Sequence, residues 1–368
     1  AVVKVRKEMD DNQQIELDEA TIMDILMPVR EEDKGDDLWT VFNVCQEKLI
    51  KGGFQAVGKN NKSRKQRSIT SIKKDIDYNQ DLNGNGISDR LDASFAHGIA
   101  VLVQNPMEYE RTSVVTVKIP AKNCGKNVTV YDADGKEYPA QISDVQFGVA
   151  TILMNVTVPP MGYKVFDLRM KKCTVKSKLS ASINALENEK YIVKFNGNGD
   201  ISSILDKELK IELLKNPITT GVFDYNGSKD WPAWELNFEE LNREPQNIAK
   251  IKTIKVVENG PCRVAVEIVK THKDSTFTSV IALSKGGNIV EVYTETEWRS
   301  KRHLAKEVFP LTASNPVATY DLGLGAIKRG NMNDKLFEVP AQKWADITDS
   351  NKEFGVSIIS ECKYGWDK

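Results

Sequence analysis

The chain has 368 residues, a formal net charge of −1, and hydrophobic and charged shares of 40% and 28%. That length suggests two or three domains, and the composition is that of a globular chain able to bury sizeable cores. The near-zero charge gives no global case for a nucleic-acid or membrane partner, and no apolar run approaches the ~18 residues of a transmembrane helix.

Residues 1–80 are rich in Lys, Asp and Gln and are predicted to be a helical and irregular segment. A helix is expected from Asp37 to about Ile50, because Phe42, Cys45 and Leu49 fall on one helical face before Gly52-Gly53 stops it. A second, weaker helical pattern runs from about Ser68 to Tyr78, and Lys59 opens a basic surface loop, KNNKSRKQR. No signal peptide is legible at the charged start, and nothing in the chain indicates a compartment.

Residues 81–96 read as a calcium-loop-like linker. In DLNGNGISDRLD, Asp81, Asn83 and Asn85 occupy loop positions 1, 3 and 5, Gly86 supplies the turn, and the Ile87 carbonyl, Asp89 and Asp92 fall at 7, 9 and 12. Oxygen donors at this alternation wrap a hard cation such as Ca²⁺. An Asp at position 12, as in dockerin-type loops, reaches the ion less far than Glu. The competing expectation is a flexible Asn-Gly linker.

From His97 onward the hydrophobic period changes to 2, which predicts antiparallel strands. Val115, Val117 and Ile119 alternate, as do Tyr191, Val193 and Phe195, which run into the hairpin signal Asn196-Gly197-Asn198-Gly199. Cys262, Val264, Val266 and Ile268 make another one-face set. Phe277, Ser279, Ile281 and Leu283 lead to Lys285-Gly286-Gly287-Asn288, and Val290, Val292 and Thr294 come back. Half-buried strands of this kind bury their faces by packing two sheets. The expected architecture is mainly β: a small β-sandwich domain over 97–175 and a large β-sandwich over 176–368, with the boundary near Lys176.

Candidate chemistry is sparse. His97, His272 and His303 include no pair at ligand spacing, so no zinc site is expected, and no two carboxylates pair by sequence as nucleophile and acid. Cys45, Cys124, Cys173, Cys262 and Cys362 are odd in number, widely spaced and without a CxxC, which points to packed free thiols. The best sugar-facing group is Tyr225, Asp230, Trp231, Trp234 and Glu235, on a loop marked by Gly227-Ser228 and Pro232. Aromatic faces stack on pyranose rings, and carboxylates accept from hydroxyls. The alternative is that both tryptophans pin the loop to the sandwich. The basic run Arg299, Lys301, Arg302, His303 and Lys306 lacks interleaved aromatics and is expected to be solvated surface. Trp344 and Asp346 read as a buried anchor and a strand-end cap, and Trp366 as an exposed residue near the end.

Several segments taken in order carry a family resemblance: VLVQNPMEYERTSVV from Val101, ALENEKYIVKFNGNGDISSILDKE from Ala185, DWPAWELN from Asp230, TETEWRSKRHLAKEVFPL from Thr294, and FEVPAQKWADITDSNKEFGVSIISECKYGWDK from Phe337. Together they resemble the β-rich region downstream of the catalytic domain in retaining α-mannosidases of glycoside hydrolase family 38. The resemblance implies a non-catalytic scaffold and cleft wall for a parent that hydrolyses terminal α-mannosides. It also implies mannose-containing glycans and the parent catalytic domain as partners, with Zn²⁺ held in that domain and not in this chain. A carbohydrate-binding module with a calcium-stabilised linker is the alternative. Residues 1–80, through DLWTVFNVCQEKLIKGGF and RSITSIKKDIDYN, faintly resemble a phage- or plasmid-type family of unknown function, which carries a third reading as a nucleic-acid or structural protein.

Overall fold

The computed structural model describes residues 2–6, as backbone, and 93–368 apart from positions 94, 226, 228, 232–234, 352–353 and 362. The helices expected at 37–50 and 68–78, the basic loop from Lys59, the calcium loop at 81–92, Cys45, Cys362 and Trp234 lie outside the described residues.

The described chain is almost wholly antiparallel β-structure, and its one α-helix is the single turn Phe238–Leu241. None of its helices is long and apolar enough to cross a membrane. Two large hydrophobic cores form, each between two sheets, and a smaller cluster gathers Ala318, Tyr320, Val339 and Ala341.

In the first, the strands Arg111–Pro120, Val149–Val158 and Ala140–Gln146 make a three-stranded sheet. It faces a four-stranded one of Ile99–Asn105, Gly162–Arg169, Thr129–Tyr131 and Glu137–Tyr138. Ile152, Met154, Phe166 and Leu168 are fully enclosed there, each contributing roughly 1.5–3 kcal/mol of burial.

In the second, a five-stranded sheet built on Tyr191–Phe195 and Ile201–Asp206 packs on a nine-stranded one. The nine strands run, edge to edge, Lys250–Asn259, Arg263–His272, Ser275–Ser284, Ile289–Glu297, Val2–Arg6, Gly355–Ile359, Trp344–Thr348, Ala318–Asp321 and Ala326–Arg329. Val264, Val266 and Ile268 lie opposite Leu283, Ile281 and Ser279, and these lie opposite Val290, Val292 and Thr294. This is the one-face pairing that the period-two pattern implies, because opposed residues in an antiparallel ladder share a face. The strand Val2–Arg6 was not legible in advance.

Hydrogen bonds stitch the two cores together. The turn from Asn259 to Arg263 abuts Gln141, whose Oε1 accepts from the backbone N–H of Cys262 and of Arg263, both at 2.9 Å. The Gln141 amide donates to the Arg263 carbonyl at 3.1 Å. Gly260 is required here: a Cβ would stand 2.2 Å from Gln141 Oε1. The Cys262 thiol donates to the Pro139 carbonyl at 3.1 Å, and the Asn155 amide to the Lys285 carbonyl at 3.1 Å. Burial pushes the Cys262 thiol up to about 12. Cys124, Cys173 and Cys262 are free thiols.

Two expectations are corrected. Asp346 is not a strand-end cap; it lies within Trp344–Thr348, where its carboxylate accepts from the Ser357 and Thr348 hydroxyls, and Trp344 is only half-buried. Trp366 is half-buried rather than exposed, because Gly365–Trp366 pairs with Val339–Pro340 and the ring packs against the cluster of Ala318, Tyr320 and Val339.

Candidate functional site

The loop singled out in the sequence leaves the end of the strand Thr219–Asp224, which pairs with His303–Val308 on one side and Asn247–Ile248 on the other. Its backbone is held at both ends. The Tyr225 N–H donates to the Arg302 carbonyl at 3.0 Å, and the Tyr225 hydroxyl donates to the Glu235 carbonyl. The Glu235 N–H closes on the Trp231 carbonyl at 2.9 Å, and the Asn237 amide reaches the Gly227 carbonyl at 3.0 Å. The turn Phe238–Leu241 follows, with Arg243 Nε donating to the Glu240 carbonyl at 2.9 Å.

This bracing presents rather than hides the loop. The Trp231 side chain is 59% exposed. Asp230 and Glu235 are also exposed, and Tyr225 is half-buried. Trp231 therefore does not pin the loop by burial.

The C-terminal aromatic-acidic run comes to the same place. Lys306 forms an ion pair with Asp367 and lies 5.7 Å over the Phe223 ring. The Phe238 and Phe337 rings meet at 5.6 Å. Burial raises the Tyr225 hydroxyl pKa, and the carboxylates of Glu240, Glu235 and Glu338 raise it further. Burial likewise raises Glu338; Lys306 opposes that shift and Asp367 adds to it.

The arrangement is an exposed aromatic face beside a hydroxyl and several carboxylates, with one ammonium neutralising part of their charge. Such a set accepts hydrogen bonds from a neutral polyhydroxylated ligand while a ring stacks on its C–H face. The structure thus brings Tyr225 and Glu235 together with Glu240, Glu338, Lys306 and Asp367. Glu240, Glu338 and Lys306 were missed as site residues. Lys306 was assigned to a solvated basic surface, yet its side chain is only 17% exposed and is paired.

The other expected surface cations, Arg299, Lys301 and Arg302, are exposed. The His272 and His303 rings, 31 residues apart in the chain, meet tilted at 53° with centroids 5.3 Å apart. Among the described residues no group of three or more His, Cys, Asp or Glu is placed to hold a metal ion.

Comparisons with known proteins agree with this architecture. The model of the glycosyl hydrolases family 38 C-terminal domain matches residues 186–368. Alpha-mannosidase G of Dictyostelium discoideum is 26% identical over 244 residues, which is 58% of this chain and 22% of that protein. Alpha-mannosidase of Saccharomyces cerevisiae is 27% identical over 225 residues, 53% of this chain and 20% of that protein. The chain thus spans about a fifth of the length of these curated relatives. Among solved structures, a protein in glycosyl hydrolase family 38 from Enterococcus faecalis superposes with a TM-score of 0.57 at 19% identity, covering 73% of this chain and 39% of that one. An alpha-mannosidase from Enterococcus faecalis V583 gives 0.51 at 16% identity, covering 72% and 40%. At such identities these two likenesses speak to the fold. Through residues 186–368 the chain belongs to the glycosyl hydrolases family 38 C-terminal domain, the β-rich region that lies downstream of the catalytic domain in α-mannosidases of that family.

Proposed function

We propose that this chain is the non-catalytic β-region of a retaining α-mannosidase, bracing the catalytic domain, and that the loop from Tyr225 to Glu235 forms part of the wall of its glycan cleft. The parent enzyme would hydrolyse terminal α-mannosides, with Zn²⁺ and the two reacting carboxylates supplied by the catalytic domain. The observation that carries this reading is the family match over the larger sandwich, joined to an exposed, backbone-braced aromatic-acidic loop within it. In this reading Tyr225, Asp230, Trp231, Trp234 and Glu235 contact mannose-containing glycans, and the 81–92 loop holds Ca²⁺ and stiffens the entry to the first sandwich. The test is hydrolysis of an aryl α-mannoside by the full chain; sustained turnover by the chain alone would overturn the scaffold assignment.

The exposure of Trp231 favours one second reading, a self-sufficient carbohydrate-binding module. Calorimetry with mannose oligosaccharides separates the two. Binding at about 1 mM or tighter, abolished by Trp231→Ala, supports the module, and absence of heat supports the scaffold.

A further inference from the structure

Beside the strand Asn247–Ile248 lies an open cleft of about 520 Å³ whose polar lining comes from Gln246, Asn247, Lys250, Thr271, His272 and Lys273. Its chemistry is one-sided: two ammoniums, an imidazole, a hydroxyl and two amides line it, and no carboxylate does. The backbone around it is strained in a specific way. Lys273 and Arg302 hold φ of 50° and 55°, a left-handed region that costs a side-chain-bearing residue free energy and persists where surrounding structure enforces it.

The enforcement is visible. The Ser275 hydroxyl accepts from the N–H of Arg299 at 2.8 Å and of Ser300 at 2.9 Å, locking the loop before His303 onto the hairpin that carries Lys273. His272 is nine-tenths buried, its ring tilted against that of His303, and its Nε2 has no hydrogen-bond partner. A buried polar atom left unsatisfied costs free energy unless a ligand or an ion completes it. Burial lowers the His272 pKa, and the neighbouring His303 and Lys273 lower it further, while the Asp224 carboxylate opposes the shift. The charged groups near this corner include Lys250 and Lys273 from the cleft, Asp274 beside Lys273 in the turn, Lys301 and Arg302 from the adjoining loop, Asp224, and Arg243, whose guanidinium donates to the Asp224 carbonyl. The Asp224 carboxylate lies 3.1 Å from His303 Nε2. Lys273 Nζ lies 2.8 Å from the same nitrogen.

We propose that this cleft is a binding site for a phosphate-type oxyanion, with the Lys250 and Lys273 ammoniums and the Thr271 hydroxyl as its principal donors. A tetrahedral anion suits a lining that carries two ammoniums and a hydroxyl but no carboxylate, and its charge compensates the cations near the two histidines. In its Nε2–H form, His272 supplies a further donor once the anion is seated. The site does not rest on the mannosidase reading.

The chain has three histidines, so imidazole proton NMR reads the site directly, with exposed His97 as an internal control. Inorganic phosphate and a hexose 6-phosphate, each titrated against sodium chloride of equal ionic strength, are expected to shift the His272 and His303 signals and leave His97 in place. The expected dissociation constant is about 1 mM or tighter. Tighter binding of the hexose phosphate identifies a sugar-borne group; equal affinity identifies the free anion. Lys273→Gly removes an ammonium while relieving a positive φ. It is therefore expected to keep or raise the urea midpoint while weakening phosphate about tenfold, the loss expected of one charge-assisted hydrogen bond. Lys250→Ala is expected to weaken it similarly. Phosphate shifts no larger than those of chloride, or an affinity unchanged in the Lys273→Gly, Lys250→Ala double variant, overturns the proposal.

Discussion

Replacing Gln141 by Leu tests how firmly the two sandwiches are joined. The side chain is buried and makes three hydrogen bonds to one turn: two accepted from the Cys262 and Arg263 N–H groups at 2.9 Å and one donated to the Arg263 carbonyl at 3.1 Å. Leucine fills similar space but satisfies none of them. Each net hydrogen bond is worth about 1 kcal/mol, and a backbone N–H left buried without a partner adds about 1–3 kcal/mol. Water reaching the rim of the turn recovers part of this, so the expected loss is about 2–4 kcal/mol. Urea unfolding of the full chain reads it as a lower midpoint at unchanged slope. A loss below about 0.5 kcal/mol would refute the reasoning, because it would mean that the amide contributes no more than an apolar filler.

Other expectations follow from the same geometry. Cys262, with its thiol pushed up to about 12 by burial, should resist an aromatic disulfide reagent at pH about 8 until the protein is unfolded; mass-spectrometric detection of label on Cys262 in the native chain would contradict this. Asp132 is nearly inaccessible and takes hydrogen bonds from Lys164 Nζ at 2.9 Å, the Lys136 N–H at 2.9 Å and the Tyr138 hydroxyl at 3.1 Å. Burial pushes its pKa up, but these partners prevail and hold it below the ordinary value of 3.8. Its folded pKa is thus the lower one, so its stabilisation is complete above the unfolded value and drains away as pH falls through the folded value. Asp132→Asn should cost about 2 kcal/mol near neutrality and converge with the parent in acid, and a pH-independent difference would count against the ionised pair. If the 81–92 loop binds calcium, added Ca²⁺ should raise the melting temperature and a chelator should lower it; identical melts would remove the site.

What the sequence disclosed, and what it withheld, follows from how far each interaction reaches along the chain. The alternation of Phe277, Ser279, Ile281 and Leu283 marks a strand because each residue reports its own face, and the Lys285-Gly286-Gly287-Asn288 turn fixes the partner's register locally. The loop carrying Tyr225 and Trp231 was visible as an aromatic-acidic cluster beside Gly and Pro. The convergence of Glu338 and Lys306 on it was not, because a bend before Val339 and the strand His303–Val308 reach it only through tertiary packing. The His272–His303 contact was not legible, because ligand-pair spacing describes neighbours on one element and not the ends of two strands that the fold brings near. Gln141 and the Cys262 turn illustrate the same limit: a glutamine in a strand looks solvent-facing until another sheet's turn covers it.

The strand Val2–Arg6 lies between Ile289–Glu297 and Gly355–Ile359, so the earliest residues of the chain pair with some of its last. In the ladder order the four strands from Lys250 to Glu297 and the four from Ala318 to Ile359 touch only through it. The widest sheet is therefore completed by contacts of very high contact order, which form late and slowly. Until that insertion occurs, the edges of Ile289–Glu297 and Gly355–Ile359 stand open to intermolecular pairing. Any deletion within Val2–Arg6 would act on aggregation during refolding well before it changed a ligand contact.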